Sequence, residues 1–210
     1  NAATGGNPWN FDRIDSNGQV TQWSSVSNLL EEVKLATAKQ TASGWEQGQL
    51  YFGLGTGLGL AGRIGRVSAD GTSVTFNWAN LPPPTAELFR GGLTFDQTGL
   101  FGGDLIAVTG RPEEQGGVRQ VWRFNSAGAP TLVTSIETGH LEGVVVLPND
   151  PVWGEWAGKL LTGNERDGVI YAITPTGTAT PYFLGIHPED FDLIPDDEDL
   201  YCTSYQDSDG

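Results

Sequence analysis

The chain contains one cysteine and no methionine, and only 11 basic residues stand against 26 acidic ones. A lone thiol, Cys202, excludes an internal disulfide framework and any CxxC metal knuckle. Its neighbours Leu200, Tyr201 and Tyr205 mark it as a buried strand thiol without chemistry. The shortage of positive charge leaves a formal net charge of −15. Such a surface repels phosphate backbones and anionic headgroups, which excludes nucleic acid as a partner and favours cations. No apolar run approaches the roughly 20 residues that cross a bilayer, so membrane insertion is not expected. No Asn-x-Ser/Thr sequon occurs, and no N-glycan of that type is predicted. A chain that begins at Asn1 and lacks methionine suggests a processed N-terminus, and hence a secreted, extracellular protein.

Glycine and proline are abundant instead: 30 and 12 residues, a fifth of the chain, alongside 38% apolar residues. That apolar share excludes a disordered low-complexity chain and points to many short strands joined by tight turns. At 210 residues, one domain with a substantial core is expected.

Four segments share one pattern, a short apolar strand, a polar turn with glycine, and a second strand rich in Thr and Val. They are Phe11–Trp23, Ile64–Phe76, Val121–Val133 and Val169–Pro181, with turn glycines Gly18, Gly71, Gly128 and Gly177. Glycine supplies the positive φ that a hairpin turn requires. Upstream of three hairpins lie further short strands, Gln49–Gly53, Asp104–Thr109 and Lys159–Thr162; a fourth, Asp199–Ser204, has no hairpin after it. Before these come apolar runs at Val33–Thr37, Leu93–Phe95, Val144–Leu147 and Phe191–Ile194. Four strands recurring about every 50 residues are the signature of propeller blades.

The predicted fold is therefore all-β, a β-propeller of about four, or five, four-stranded blades. Residues 1–24 form the outer hairpin of a closing blade, 25–80, 87–136 and 140–186 form three complete blades, and 187–206 supply the closing blade's inner strands. Pairing the N- and C-terminal strands would close the ring and remove exposed sheet edges. Asn28-Leu-Leu-Glu31 also fits a helix capping box, but Val33–Thr37 alternates at period two and is read as a strand. Leu81-Pro-Pro-Pro-Thr85 reads as a stiff connector.

In a propeller the innermost strand of each blade begins beside the central channel. Superposing the repeat aligns Glu31-Glu32, Gly91-Gly92, Glu142-Gly143 and Glu189-Asp190 there. Converging carboxylates raise one another's pKa or require a cation. The predicted metal ligands are Glu31, Glu142, Glu189 and Asp190, with Glu165 as a further oxygen donor, and Ca²⁺ as the ion. His140-Leu-Glu142 and His187-Pro-Glu189 place the only two histidines at one repeat position. They read either as ligands or acid/base groups beside the glutamates, or as caps bonded to backbone at a strand start.

Gly99–Gly110, His140-Leu-Glu-Gly143, Leu147-Pro-Asn-Asp150, Trp156–Gly163 and Pro188-Glu-Asp-Phe-Asp192 together resemble a family of secreted bacterial propeller-like proteins. Some of its members carry a C-terminal sorting tail associated with exopolysaccharide-producing bacteria. The resemblance spans roughly residues 10–205 and implies fold and location but no reaction. Members of that family continue with at least one further blade, which implies five blades as the other count, or missing strands supplied by a neighbouring subunit. His-Leu-Glu-Gly also resembles the blade start of gluconolactonase-type propellers, where a Glu, an Asn and an Asp hold a metal that polarises a lactone. Glu142 matches that Glu and Asn164 that Asn; no third ligand falls in register.

Other motifs do not carry an activity. No Gly-x-Ser-x-Gly elbow is present. Gly53–Gly59 lacks the strand-loop-helix setting of a dinucleotide loop. The acidic runs Asp196–Asp199 and Asp207–Gly210 read as solvated loop and tail. Trp153 and Trp156 are candidate sugar-stacking residues, or inter-blade packing. The function expected is an extracellular structural or adhesive module, cation-stabilised, self-associating or set in an extracellular matrix or surface filament. Enzymatic action is not favoured. The alternatives are a glycan- or small-ligand-binding propeller, and a metal-dependent lactonase or lyase using Glu142 with His140 or His187.

Overall fold

The computed structural model describes residues 11–26, 33–39, 42–53, 62–81, 88–110, 117–138 and 140–194. Among them, strands gather into one two-stranded and three four-stranded antiparallel sheets. The first is the hairpin β1 (Asp12–Ile14) and β2 (Val20–Gln22). Blade I holds β3 (Leu35–Thr37), β4 (Leu50–Gly53), β5 (Arg63–Val67) and β6 (Val74–Asn80). Blade II holds β7 (Leu88–Phe95), β8 (Leu105–Gly110), β9 (Val118–Phe124) and β10 (Pro130–Glu137). Blade III holds β11 (Glu142–Val146), β12 (Leu160–Asn164), β13 (Val169–Ile173) and β14 (Ala179–Phe183). Within each blade the strands pair in chain order, so every sheet is a simple meander.

Local chemistry makes the hairpins. Asp15, Ser68, Asn125 and Thr174 each open a turn, and each side-chain oxygen accepts a backbone N–H from the far side of that turn. Asp15 accepts from Asn17 and Gln19, Ser68 from Ser73, Asn125 from Ala127 and Ala129, and Thr174 from Thr178. The turn then needs one residue at positive φ, and glycine supplies it at +78° (Gly18), +78° (Gly71), +79° (Gly128) and +90° (Gly177).

Blades stack face to face, which explains why the inner strands are apolar on both sides. Along β8, Leu105 and Ala107 join Tyr51, Ile64 and Phe95 between blades I and II, while Ile106 and Val108 join Val144, Val146 and Leu160 between blades II and III. Phe11 and Val26 pack on Phe52 and Val67, placing the β1–β2 hairpin against blade I. On the far side of blade III, Val145, Leu161 and Ile170 are covered by Phe191, Leu193, Trp153 and Trp156.

The closing blade differs from expectation. Phe191–Ile194 carries no strand; it is an irregular strap that lays Phe191 and Leu193 on blade III. Pro188 removes a donor just ahead of it, and the strand expected to pair with it, Asp199–Ser204, lies outside the described residues. Ring closure by sheet pairing is accordingly absent among the described residues, where β1 and β2 pair only with each other. The turn glycines make the same point. Gly128 and Gly177 each rest against the outer strand of the preceding blade and Gly71 against Trp23, just after β2, whereas no described residue lies within 4 Å of a β-carbon built on Gly18. The capping-box segment, the proline connector core and the glycine run after Gly53 lie outside the described residues, as do Cys202 and both acidic runs. No described helix is long and apolar enough to cross a membrane.

Candidate metal centre

The site forms where β11 begins. Leu141 is fully buried in the core between blades II and III. The residues on either side of it, His140 just before β11 and Glu142 at its first position, bring their polar side chains together. Glu142 pairs across the sheet with Gly163 of β12. Two residues later the chain leaves β12, and Glu165 folds back towards the same point. His140 Nε2 lies 3.4 Å from Glu142 Oε1 and 3.8 Å from Glu165 Oε2. One ligand atom from each of the three residues falls within 4.8 Å of the others, and this is the one such group of three His, Cys, Asp or Glu residues among those described. The side chains of His140 and Glu142 are 10% and 9% exposed, against 38% for Glu165. Two carboxylates facing one imidazole at the rim of a core repel each other unless a positive charge stands between them.

The turn carrying Glu165 is braced by its neighbours. Asn164 Nδ2 donates to Thr138 Oγ1 and to Asp167 Oδ2, the latter at 2.7 Å, and its Oδ1 accepts the Asp167 N–H at 3.1 Å. Thr162 Oγ1 donates to the Gly143 carbonyl at 2.8 Å, tying β12 to the residue after Glu142. Both ends of the Asn164 amide are thus engaged in protein contacts. The metal-ligand role suggested by the gluconolactonase resemblance does not match this arrangement. Thr138 and Asp167 escaped the sequence reading; the Asn164-x-x-Asp167 spacing directly after a strand was the available sign of a braced turn.

The remaining candidates divide. His187 is exposed, and its ring Nδ1 bonds the backbone carbonyl of Glu165, leaving it outside the cluster. The repeat equates it with His140, but the irregular strap carries it to backbone instead. Glu189 and Asp190 are exposed and also stand outside the cluster; Asp190 Oδ2 lies 4.0 Å from Lys34 Nζ. Glu31 and Glu32 lie outside the described residues. Trp153 and Trp156 are half-buried on the blade III core, and the Trp156 ring meets Tyr182 edge-on at 5.4 Å.

No protein-family model and no curated protein matches the chain. Solved structures similar to it include a catalytically inactive virginiamycin B lyase from Staphylococcus aureus with quinupristin, at 16% identity and a TM-score of 0.52, covering 85% of this chain and 51% of that one. A streptogramin B lyase is similar at 16% identity and a TM-score of 0.52, covering 82% of this chain and 47% of its own. A protein of unknown function from Bacteroides caccae is similar at 14% identity and a TM-score of 0.55, covering 90% and 60% respectively. The chain thus spans about half the length of the two lyases. At these identities the likeness shows the fold alone, a β-propeller-like stack of four-stranded sheets.

Proposed function

We propose that this protein is a cation-stabilised propeller module in which His140, Glu142 and Glu165 hold a divalent metal ion. The observation that carries this reading is the convergence of one imidazole and two carboxylates, two of the three side chains buried, at the start of an inner strand. The donor set refines the choice of ion. Ca²⁺, expected from charge alone, takes six to eight oxygens. A nitrogen donor with two carboxylates suits Zn²⁺ or a similar borderline ion, with open positions left for water or a ligand.

The role that follows is structural or ligand-holding. The lactonase or lyase alternative needs Glu142 with His140 or His187 as acid/base groups; His187 lies outside the cluster with its ring on the Glu165 carbonyl, and His140 and Glu142 serve as ligands in this reading. An extracellular, adhesive setting with self-association belongs to the same proposal. The β1–β2 hairpin, which pairs with no third strand among the described residues, supports it, because a sheet edge can take up a further strand.

Calorimetric titration with ZnCl₂ and with CaCl₂, together with thermal melting, tests the metal. At about 100 times the dissociation constant, a folded-state ligand stabilises by about 2.7 kcal/mol, a rise of roughly 5–10 °C in Tm for a chain of this size. The rise should be larger with Zn²⁺ than with Ca²⁺ and should vanish in Glu142→Gln. Equal melting of chelated and Zn²⁺-treated protein would remove the proposal.

A further inference from the structure

We infer that metal occupancy at His140, Glu142 and Glu165 sets the position of the strap at residues 187–193, and through it the wall of the cavity that the strap borders. This inference rests on the metal reading above.

The strap lies directly over the pair of strands that carries the ligands. The His187 ring bonds the Glu165 carbonyl. Pro188 covers Gly163, where a β-carbon would stand 2.6 Å from its Cγ and 2.8 Å from its carbonyl oxygen. Beyond it the chain crosses Gly143, where a β-carbon would stand 2.9 Å from the Glu189 carbonyl oxygen and 2.7 Å from the Phe191 ring. Gly163 is the cross-strand partner of Glu142 and Gly143 is its neighbour in the chain. Each of these three contacts is therefore within two residues of a ligand.

The strap also borders a cavity. Phe191, Asp192 and Leu193 wall a cavity of about 590 Å³ whose apolar side is Phe95, Val144 and Val146. Asp190 reaches Lys34 at the start of blade I. Having no strand hydrogen bonds, the strap is held in place by side-chain packing and by these contacts. Without a cation, repulsion between the Glu142 and Glu165 carboxylates pushes the Glu165 turn outward, and with it the carbonyl that His187 holds. With a cation the turn is drawn in, and the strap has a fixed seat. Both effects act on the position of the strap, which is what links the site to the cavity.

Hydrogen exchange of the Glu189–Leu193 amides, read by mass spectrometry alongside calorimetry, tests this. In the wild type, ZnCl₂ should slow exchange across the strap by about tenfold relative to chelated protein. Glu165→Gln should abolish that response. His187→Ala, which keeps all three ligands, should still bind Zn²⁺ but show a weaker response in the strap. Zn²⁺ binding with strap exchange unchanged would overturn the coupling and leave the metal site standing. Absence of Zn²⁺ binding would overturn the site and the coupling together. An undiminished strap response in His187→Ala would remove His187 as the connecting contact.

Discussion

A β-carbon on Gly71 would stand 2.1 Å from the carbonyl oxygen of Trp23, in the hairpin that packs before blade I. The same joint recurs between Gly128 and the Trp78 carbonyl at 2.8 Å, and between Gly177 and the Val133 carbonyl at 2.2 Å. One turn position therefore does two things: it supplies the positive φ of the hairpin, and it lets consecutive blades approach backbone to backbone.

The two contributions can be separated by substitution, because Gly18 and Gly71 share a φ of +78° but only Gly71 has a described neighbour within 4 Å. Gly18→Ala should cost the backbone term alone, about 1–2 kcal/mol. Gly71→Ala should cost at least about 1 kcal/mol more, because the carbonyl of Trp23 must move. Urea unfolding of the two variants measures the difference. Equal losses would show that the joint adds nothing to stability.

Asp96 is fully buried and organises the loop between β7 and β8. Its Oδ1 accepts from the Thr98 and Gly99 N–H groups and the Thr98 hydroxyl, and its Oδ2 accepts from Phe101 and Gly103 at 2.7 and 3.0 Å. The same loop reaches blade I, because Trp45 Nε1 donates to the Gly103 carbonyl at 2.8 Å. Asp96→Ala leaves four backbone donors without their acceptor and should cost at least about 3 kcal/mol. Asp96→Asn should rescue little, since its NH₂ faces donors on one side. Chemical denaturation checks both, and a loss below about 1 kcal/mol in Asp96→Ala would refute the assignment.

Tyr51 is enclosed by Trp45, Trp78 and Phe95 and donates its hydroxyl to Gln49 Oε1 at 2.7 Å. Burial pushes its phenol up to about 12. A raised pKa means the folded state holds the proton more tightly. This contribution to stability is intact below the unfolded value near 10 and is lost as pH rises from there towards 12. Phenolate absorbance should show a late step that Tyr51→Phe removes. A titration in which that variant keeps the late step would contradict the assignment.

Asp70, exposed in the turn of blade I, is held down to about 2 by hydrogen bonds from the Ser68 hydroxyl and the Thr72 N–H and hydroxyl. A lowered pKa contributes stability above the unfolded value near 4, lost as pH falls towards 2. Carboxyl chemical shifts followed by NMR should place Asp70 among the last groups to protonate. Titration near the ordinary aspartate value would contradict the turn geometry.

Most of the blade plan was legible because hairpin chemistry is local. Asp15, Ser68, Asn125 and Thr174 cap their own turns, and each turn glycine sits a fixed few residues away, so four hairpins stand out in one dimension. The inner strands were legible for a related reason: β8 and β11 are apolar on both faces because a neighbouring blade covers each. The closing blade was not legible. Its inner run, Phe191–Ile194, has the composition of a strand, but composition does not supply a partner.

The candidate site divides along the same line. His140-Leu-Glu142 could be read directly, because superposing the repeat sets it at the start of an inner strand. That Glu165 joins them, 23 positions after Glu142, was decided by antiparallel pairing of Glu142 with Gly163 and by the turn that Asn164 and Asp167 brace. That His187 does not join them was decided by the strap, which delivers its ring to a backbone carbonyl. By itself the sequence determined the turns, the alternation and the negative charge, all short-range or summed properties. Only the tertiary structure decided which carboxylates meet, because that depends on strand register and on the path of an irregular segment, and neither is encoded in a repeat.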